Sequence, residues 1–354
     1  MDIVSLLDRI GEAETAALFG LTTGIVFGVS AQRSRFCLRA ATIEFARRTL
    51  GASVSVWLLT FSTAMVWVQA AVLLGYIQPN DARMMAVTGS WSGAIIGGLM
   101  FGAGMVLARG CSGRLLVMAA SGNLRSIVSG LIFAVVAQMS LKGWLAPLRD
   151  DMAMIWTTKG GRNVDLLAAL HLPHWAGLAL GIGTAVLALV LARRNRIGAS
   201  RLIFASGVGF AVALGWALTT ALSKVAFEPV TITSATFTGP SANTLMFFLD
   251  RNPVLDFDVG LVPGVVIGAF LAALISREFR FQGFEGEANM RRAMIGAALM
   301  GFGGMLAGGC AIGAGVTGGS IFVATALVAL FFMWVGAMAT DYLVDQRRLV
   351  FQPT

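Results

Sequence analysis

The sequence predicts an all-α integral membrane protein: about nine transmembrane helices plus re-entrant half-helices, in two inverted-topology repeats forming an hourglass-like bundle. Three observations carry this prediction: too little charge, a long internal repeat, and a one-sided distribution of arginine. Charged residues are 12% of the 354 and apolar residues 57%, with a mean hydropathy of +0.80. A soluble domain carries about 25% charged residues, so this chain cannot cover a solvated surface. Its apolar stretches fall at about 15–33, 53–78, 88–108, 125–147, 172–193, 199–223, 258–276, 291–308 and 318–341. Each is long enough to cross a bilayer core. The opening MDIVSLLDRIGEAE is acidic where a secretory leader starts basic, so the first span reads as part of the mature chain.

The repeat is carried by two cassettes 199 residues apart. Ile96 to Cys111 reads IGGLMFGAGMVLARGC, and Ile295 to Cys310 reads IGAALMGFGGMLAGGC. Eight of sixteen positions match without a gap, including Gly97/Gly296, Gly102/Gly301, Gly104/Gly303, Gly110/Gly309 and both cysteines. Such self-similarity in a polytopic membrane chain is the mark of a transporter built from two related halves. The glycines inside the cassettes suit close helix packing. Those beside the cysteines let the chain turn.

Arginine supplies orientation. With nine alternating spans, eighteen of the 26 Lys and Arg residues fall on one side and eight on the other. The richer side is expected to be cytoplasmic, which puts the N-terminus in the periplasm and the C-terminus in the cytoplasm. The net charge of +8 is thereby explained by topology, and no nucleic-acid partner is expected. The span before Cys111 and the span before Cys310 then run in opposite directions. The expected organisation is a first repeat over 15–147, a connector with the fifth span over 148–198, an inverted second repeat over 199–341, and a short cytoplasmic tail over 342–354.

Each half also holds a segment that fits neither a span nor an ordinary loop. Ala31 to Leu50 carries Cys37; Val230 to Leu249 is uncharged, rich in hydroxyls and interrupted by Gly239–Pro240. Non-helical backbone at membrane depth is tolerated where protein buries it or a polar path is lined. Both therefore read as re-entrant half-helices, with Cys37 matched to Thr236 at the cassette offset. His171 and His174 form an HxxH without a third ligand, so no metal is expected there. Three cysteines without a CxxC pair give neither a disulfide framework nor a zinc site. No Walker motif is present, so P-loop ATP hydrolysis is not expected. No cofactor is expected either.

The stretches RSRFC (Arg33 to Cys37), ARGCSGR (Ala108 to Arg114) and GGCAIGAGVTGG (Gly308 to Gly319), in this order, resemble the YeeE/YedE sulfur-transport family of bacterial inner-membrane proteins over nearly the whole chain. The resemblance implies uptake of thiosulfate or a closely related inorganic sulfur anion along a path lined by Cys37, Cys111 and Cys310. It also implies a separate TusA-type sulfurtransferase as acceptor on the cytoplasmic side, since no such domain follows FQPT here. Membrane lipid and the anion itself are the other expected partners.

A dianion in a low-dielectric slab needs substitutes for its water. Buried thiols remain neutral weak donors, and weak sites release what they bind. Backbone N–H groups at Gly110 and Gly309, beside helix starts that favour anions, are candidate contacts. Thr236, Thr238, Ser241 and Asn243 would add hydroxyl and amide donors on the outer side. On the inner side Arg35, Arg39, Arg109 and Arg114 would draw the anion inward, with Arg109 and Arg114 the stronger candidates. The expected order of passage is Cys310, Cys111, Cys37. Two other readings stay open: a membrane sulfurtransferase or thiol relay handling persulfide sulfur, and a structural subunit whose cysteines are dispensable. Another sulfur or selenium species as cargo also stays open.

Overall fold

A computed structural model describes residues 3–173, 175–284 and 286–346. His174 of the HxxH and residues 347–354 of the tail lie outside the described residues. The helices are α1 (Ile3–Ile10), α2 (Glu12–Ser34), α3 (Leu38–Ala46), α4 (Ala52–Leu73), α5 (Arg83–Ala86), α6 (Trp91–Leu107), α7 (Ser112–Ala120) and α8 (Leu124–Lys142). They continue as α9 (Ala146–Met154), α10 (Leu166–Ala169), α11 (Ala176–Arg194), α12 (Ala199–Ser223), α13 (Thr238–Leu249), α14 (Phe257–Ile275), α15 (Glu287–Leu306) and α16 (Ala324–Thr340). Two π-helical segments, Ala311–Gly318 and Asp341–Gln346, flank α16. Among the described residues, nine segments are long and apolar enough to cross a membrane. The chain is an all-helical, multi-pass membrane protein.

Side chains fix where these helices begin. Ser90 accepts the N–H of Gly93 at 2.8 Å and starts α6; Asn123 accepts that of Ser126 at 2.9 Å and starts α8. Asp256 does the same for α14 through Val259, at 2.8 Å. Such caps satisfy amides that a helix end leaves open, which matters most where water is absent. Glu44 caps α4 from another helix, accepting the N–H groups of Ser53 and Val54.

Packing follows the repeat. The α6–α15 crossing joins Gly97 to Gly303 and Gly104 to Gly296, so the two cassettes run antiparallel and each contact is the image of the other. A Cβ on any of these four glycines would lie closer than 3.0 Å to backbone of the facing helix. Gly102 and Gly301 serve the same purpose against α16 and α8. Around this centre, the pairs α2–α14 and α4–α12, α6–α16 and α8–α15, and α3–α4 and α13–α14 repeat the same neighbours in both halves. Along α2, Gly20, Gly24 and Gly28 meet Phe257, Leu261 and Val265 in register, so those helices run parallel. The connector helix α11 packs mainly on α4 and keeps most of its surface outward, with only 22% of its apolar window buried.

Three details refine the sequence-based expectation. Gly239 and Pro240 do not interrupt the second re-entrant segment; they lie in the first turn of α13, where proline has no amide to lose and a suitable φ. The chain before them, from residue 229 to 236, has no regular secondary structure. Residues 112–120, which lie between two predicted spans, form the half-helix α7, a helix start directly after Cys111. After Cys310 the equivalent segment is a π-helix, a wide turn rare in proteins and concentrated at functional sites.

Candidate functional site

All three cysteines occupy the same backbone position, the N-cap of a half-helix. α2 ends at Ser34, Arg35 takes a left-handed φ of 55°, and Cys37 precedes α3. α6 ends at Leu107, Arg109 takes φ 57°, and Cys111 precedes α7. α15 ends at Leu306, Gly308 takes φ 76°, and Cys310 precedes the π-helix. Arg109 and Gly308 are equivalent in the repeat. The left-handed step that glycine makes at no steric cost is made by arginine in the first half, which places a cation beside the turn.

The turns converge in two pairs. Cys37 and Cys111 face each other across the first half, and all three cysteines are free thiols. In the second half Cys310 meets Thr236, with Oγ1 and Sγ 3.9 Å apart. Cys310 Sγ also accepts the backbone N–H groups of Phe237, at 3.3 Å, and Gly313, at 3.4 Å. The match of Cys37 to Thr236, drawn from the cassette offset, is therefore met in space: each partners the cassette cysteine of its own half.

The two pairs touch. A Cβ on Gly113, two residues after Cys111, would lie 2.5 Å from Ile312 Cδ1 and 3.3 Å from the Phe237 ring. A Cβ on Gly313 would strike Thr236 Oγ1. Phe237 packs on Phe27, ring centres 5.0 Å apart. Cys111, Cys310, Phe237 and Ile312 are all buried. The three cysteine turns thus form one packed run, with Ile312 and Phe237 at the contact between the turn of Cys111 and that of Cys310.

The two ends of this run differ. On the Cys310 side a cavity of about 530 Å³ is lined by Thr236, Thr238, Gly308, Gly309 and Thr317, and by Arg83, Arg149 and Asn163. Thr238 Oγ1 is buried with no partner. On the Cys37 side, Arg39 and Arg114 stand near the Cys37 thiol. Buried N–H groups at Arg39 Nε, Arg114 Nη1, and Arg292 Nε and Nη2 lack partners. Carboxylates occupy part of this cluster: Asp345 pairs with Arg292 at 2.9 Å and Arg39 at 3.9 Å, and Asp341 with Arg47 at 3.3 Å.

The other expected contacts divide. Gly110 and Gly309 are buried in their turns, and Gly309 reaches the cavity. Arg109 is exposed and its Nη2 meets Asn289 at 3.5 Å; Arg35 pairs with Glu278 at 3.2 Å. Ser241 Oγ is buried without a partner and does not line the cavity. Asn243 donates to Asp258 at 3.0 Å, so it is committed to a carboxylate. Sequence reading missed Arg83, Arg149, Asn163 and Thr317, which come from four separate segments and share no motif. It also missed Arg292, one residue inside a span.

The family model described as sulphur transport matches residues 33–339. The thiosulfate transporter TsuA of Escherichia coli strain K12 is 26% identical over 351 residues, covering 93% of this chain and 95% of the relative. The thiosulfate transporter TsuA of Spirochaeta thermophila is 25% identical over 345 residues, covering 93% and 99%. The chain with this paired-cysteine centre belongs to the sulphur-transport family.

Proposed function

We propose that this protein imports thiosulfate, or a closely related inorganic sulfur anion, across the bacterial inner membrane, with the cysteine thiols as relay contacts. The carrying observation is the packing together of the Cys310, Cys111 and Cys37 turns, with a threonine-lined cavity beside Cys310 and arginines beside Cys37. The relatives' names, both thiosulfate transporters, support this choice of cargo. The anion enters the cavity past Arg83 and Arg149 and among threonine hydroxyls, weak neutral donors that replace part of its water without trapping it. It then meets Cys310, passes the Ile312–Phe237 contact as it opens, and transfers to Cys111 and Cys37. The arginines beside Cys37 favour its arrival through charge. The arginine distribution supports a cytoplasmic location for that end, with the N-terminus in the periplasm and the two halves 15–147 and 199–341 flanking the path. A TusA-type sulfurtransferase would take the sulfur there.

Alanine at Cys111 or Cys310, with uptake of labelled thiosulfate measured at matched protein level, tests the proposal. Uptake is expected to fall by about 10- to 100-fold, the value of a hydrogen bond to a charged group. Wild-type uptake in both variants refutes the thiol route.

A second reading is favoured by one observation, the facing thiols of Cys37 and Cys111. A close dithiol is what a sulfur relay uses. In that case a thiolate of the pair attacks the outer sulfur of thiosulfate, the S–S bond of the anion breaks and sulfite leaves, so mass spectrometry of the protein during turnover finds a persulfide on one of the two. Passage of the intact anion leaves both unmodified.

A further inference from the structure

The thiol run leaves a buried carboxyl unused. Asp258 lies in the first turn of α14, one of the membrane-spanning helices, and is 6% exposed. Its Oδ2 accepts one hydrogen bond, from Asn243 Nδ2 at 3.0 Å, and its Oδ1 is buried with no partner. An ionised carboxylate presents about four acceptor sites, and a single amide leaves a buried charge largely uncompensated. The neutral acid, with its proton on Oδ1, has no such difficulty.

Its surroundings connect it to the cavity. Gly239 lines the cavity, and a Cβ there would lie 3.9 Å from Asp258 Oδ2. The carboxyl therefore lies directly behind a glycine of the cavity wall. The charged groups acting on Asp258 are Asp256 on its own helix and Arg83 from α5, and Arg83 also lines the cavity. α13 brings Asn243 and no titratable group. α2 and α7, the other helices packed on α14, carry Glu12, Glu14, Arg33 and Arg114. Burial pushes the Asp256 carboxyl above its usual range.

We propose that Asp258 is a proton-binding site that couples anion entry to proton uptake, one proton for each anion admitted to the cavity. An anion beside Gly239 and an ionised Asp258 repel each other at short range in a low dielectric. The anion binds the protonated form better, and the effect is reciprocal: bound anion raises proton affinity by the same factor. An inward proton gradient then drives uptake. This inference rests on the transport reading above and adds its energy source.

Thiosulfate added to purified wild-type protein in weakly buffered solution with a pH-indicator dye is expected to remove protons, approaching one per bound anion. Affinity should fall by up to about tenfold per pH unit on the alkaline limb, the limit for one linked proton. Asp258→Asn should bind thiosulfate without taking up protons and with a flat pH profile, whereas Asp256→Asn, which keeps the α14 cap, should retain both effects. In proteoliposomes an inward proton gradient should raise wild-type accumulation and leave D258N unchanged. Absence of proton uptake by the wild type overturns the inference even if D258N fails to fold, and so does a steep pH profile in a folded D258N. Vesicles that take up thiosulfate regardless of the gradient remove the coupling alone. Vesicles that take up none under any gradient remove the transport reading.

Discussion

The two halves of the centre share a backbone plan and differ in chemistry. In the second half Cys310 partners a hydroxyl, Thr236, beside a cavity rich in threonine. In the first half the equivalent cysteine partners a thiol, Cys37, beside arginines. The left-handed residue of the turn is Gly308 in one and Arg109 in the other. Inverted repeats bring equivalent positions to opposite ends of a path, so identical halves would give an identical entrance and exit. Divergence at a few positions on an unchanged backbone surrounds Cys310 with hydroxyls, in a cavity that also takes Arg83, Arg149 and Asp150, and surrounds Cys37 with arginines.

The largest effect should come from breaking the frame that both halves share. Gly104→Leu forces a side chain into the backbone of α15 at Gly296, and overpacking of this kind costs about 1–3 kcal/mol or more. Folded protein recovered from membranes should fall sharply, with Gly296→Leu giving the same loss by symmetry. Unequal losses would mean that the halves are not equivalent at their crossing.

The partner residues sharpen the comparison next. If Thr236 does for Cys310 what Cys37 does for Cys111, then Cys37→Ser keeps uptake within about threefold while Cys37→Ala loses about tenfold, roughly one hydrogen bond. Equal loss in both means that sulfur itself is needed at Cys37, which favours the relay reading. A smaller effect is expected at the cationic end. Arg114→Gln should weaken uptake by several-fold, and added salt should leave most of the difference in place, because the buried guanidinium acts through charge that salt screens little. The same substitution at Arg149, on the other side, tests whether cations matter equally at both ends.

The smallest effect concerns the carboxylate that holds the cationic end together. Asp345→Asn removes the ion pairs to Arg292 and Arg39. Partly exposed pairs are worth about 0–1 kcal/mol, so initial uptake should rise by about twofold as those guanidinium groups are freed. A fall in the rate would mean that Asp345 orders the arginines for the anion and does not compete with it.

Much of the centre was legible because it is local. The cassette glycines announce close packing by spacing alone, and the three cysteines stand in short motifs. What was not legible depends on distant segments meeting. Nothing in RSRFC and ARGCSGR says that Cys37 and Cys111 face each other, 74 residues apart. Asn243 reads as a free amide donor for an anion until α14 brings Asp258 against it. Asp258 itself is hidden in sequence because it stands at the edge of an apolar run, where a carboxylate ordinarily reaches the interface.

By itself the sequence determined the membrane class, the spans, the cassette repeat and the arginine bias, because hydropathy, helical rise and glycine spacing act within a few turns of chain. Only the tertiary structure decided which thiol meets which partner, which hydroxyls face the cavity, and which carboxyl is stranded beside it. Those outcomes depend on how helices remote in sequence cross, and a crossing angle or register is set by packing over the whole interface.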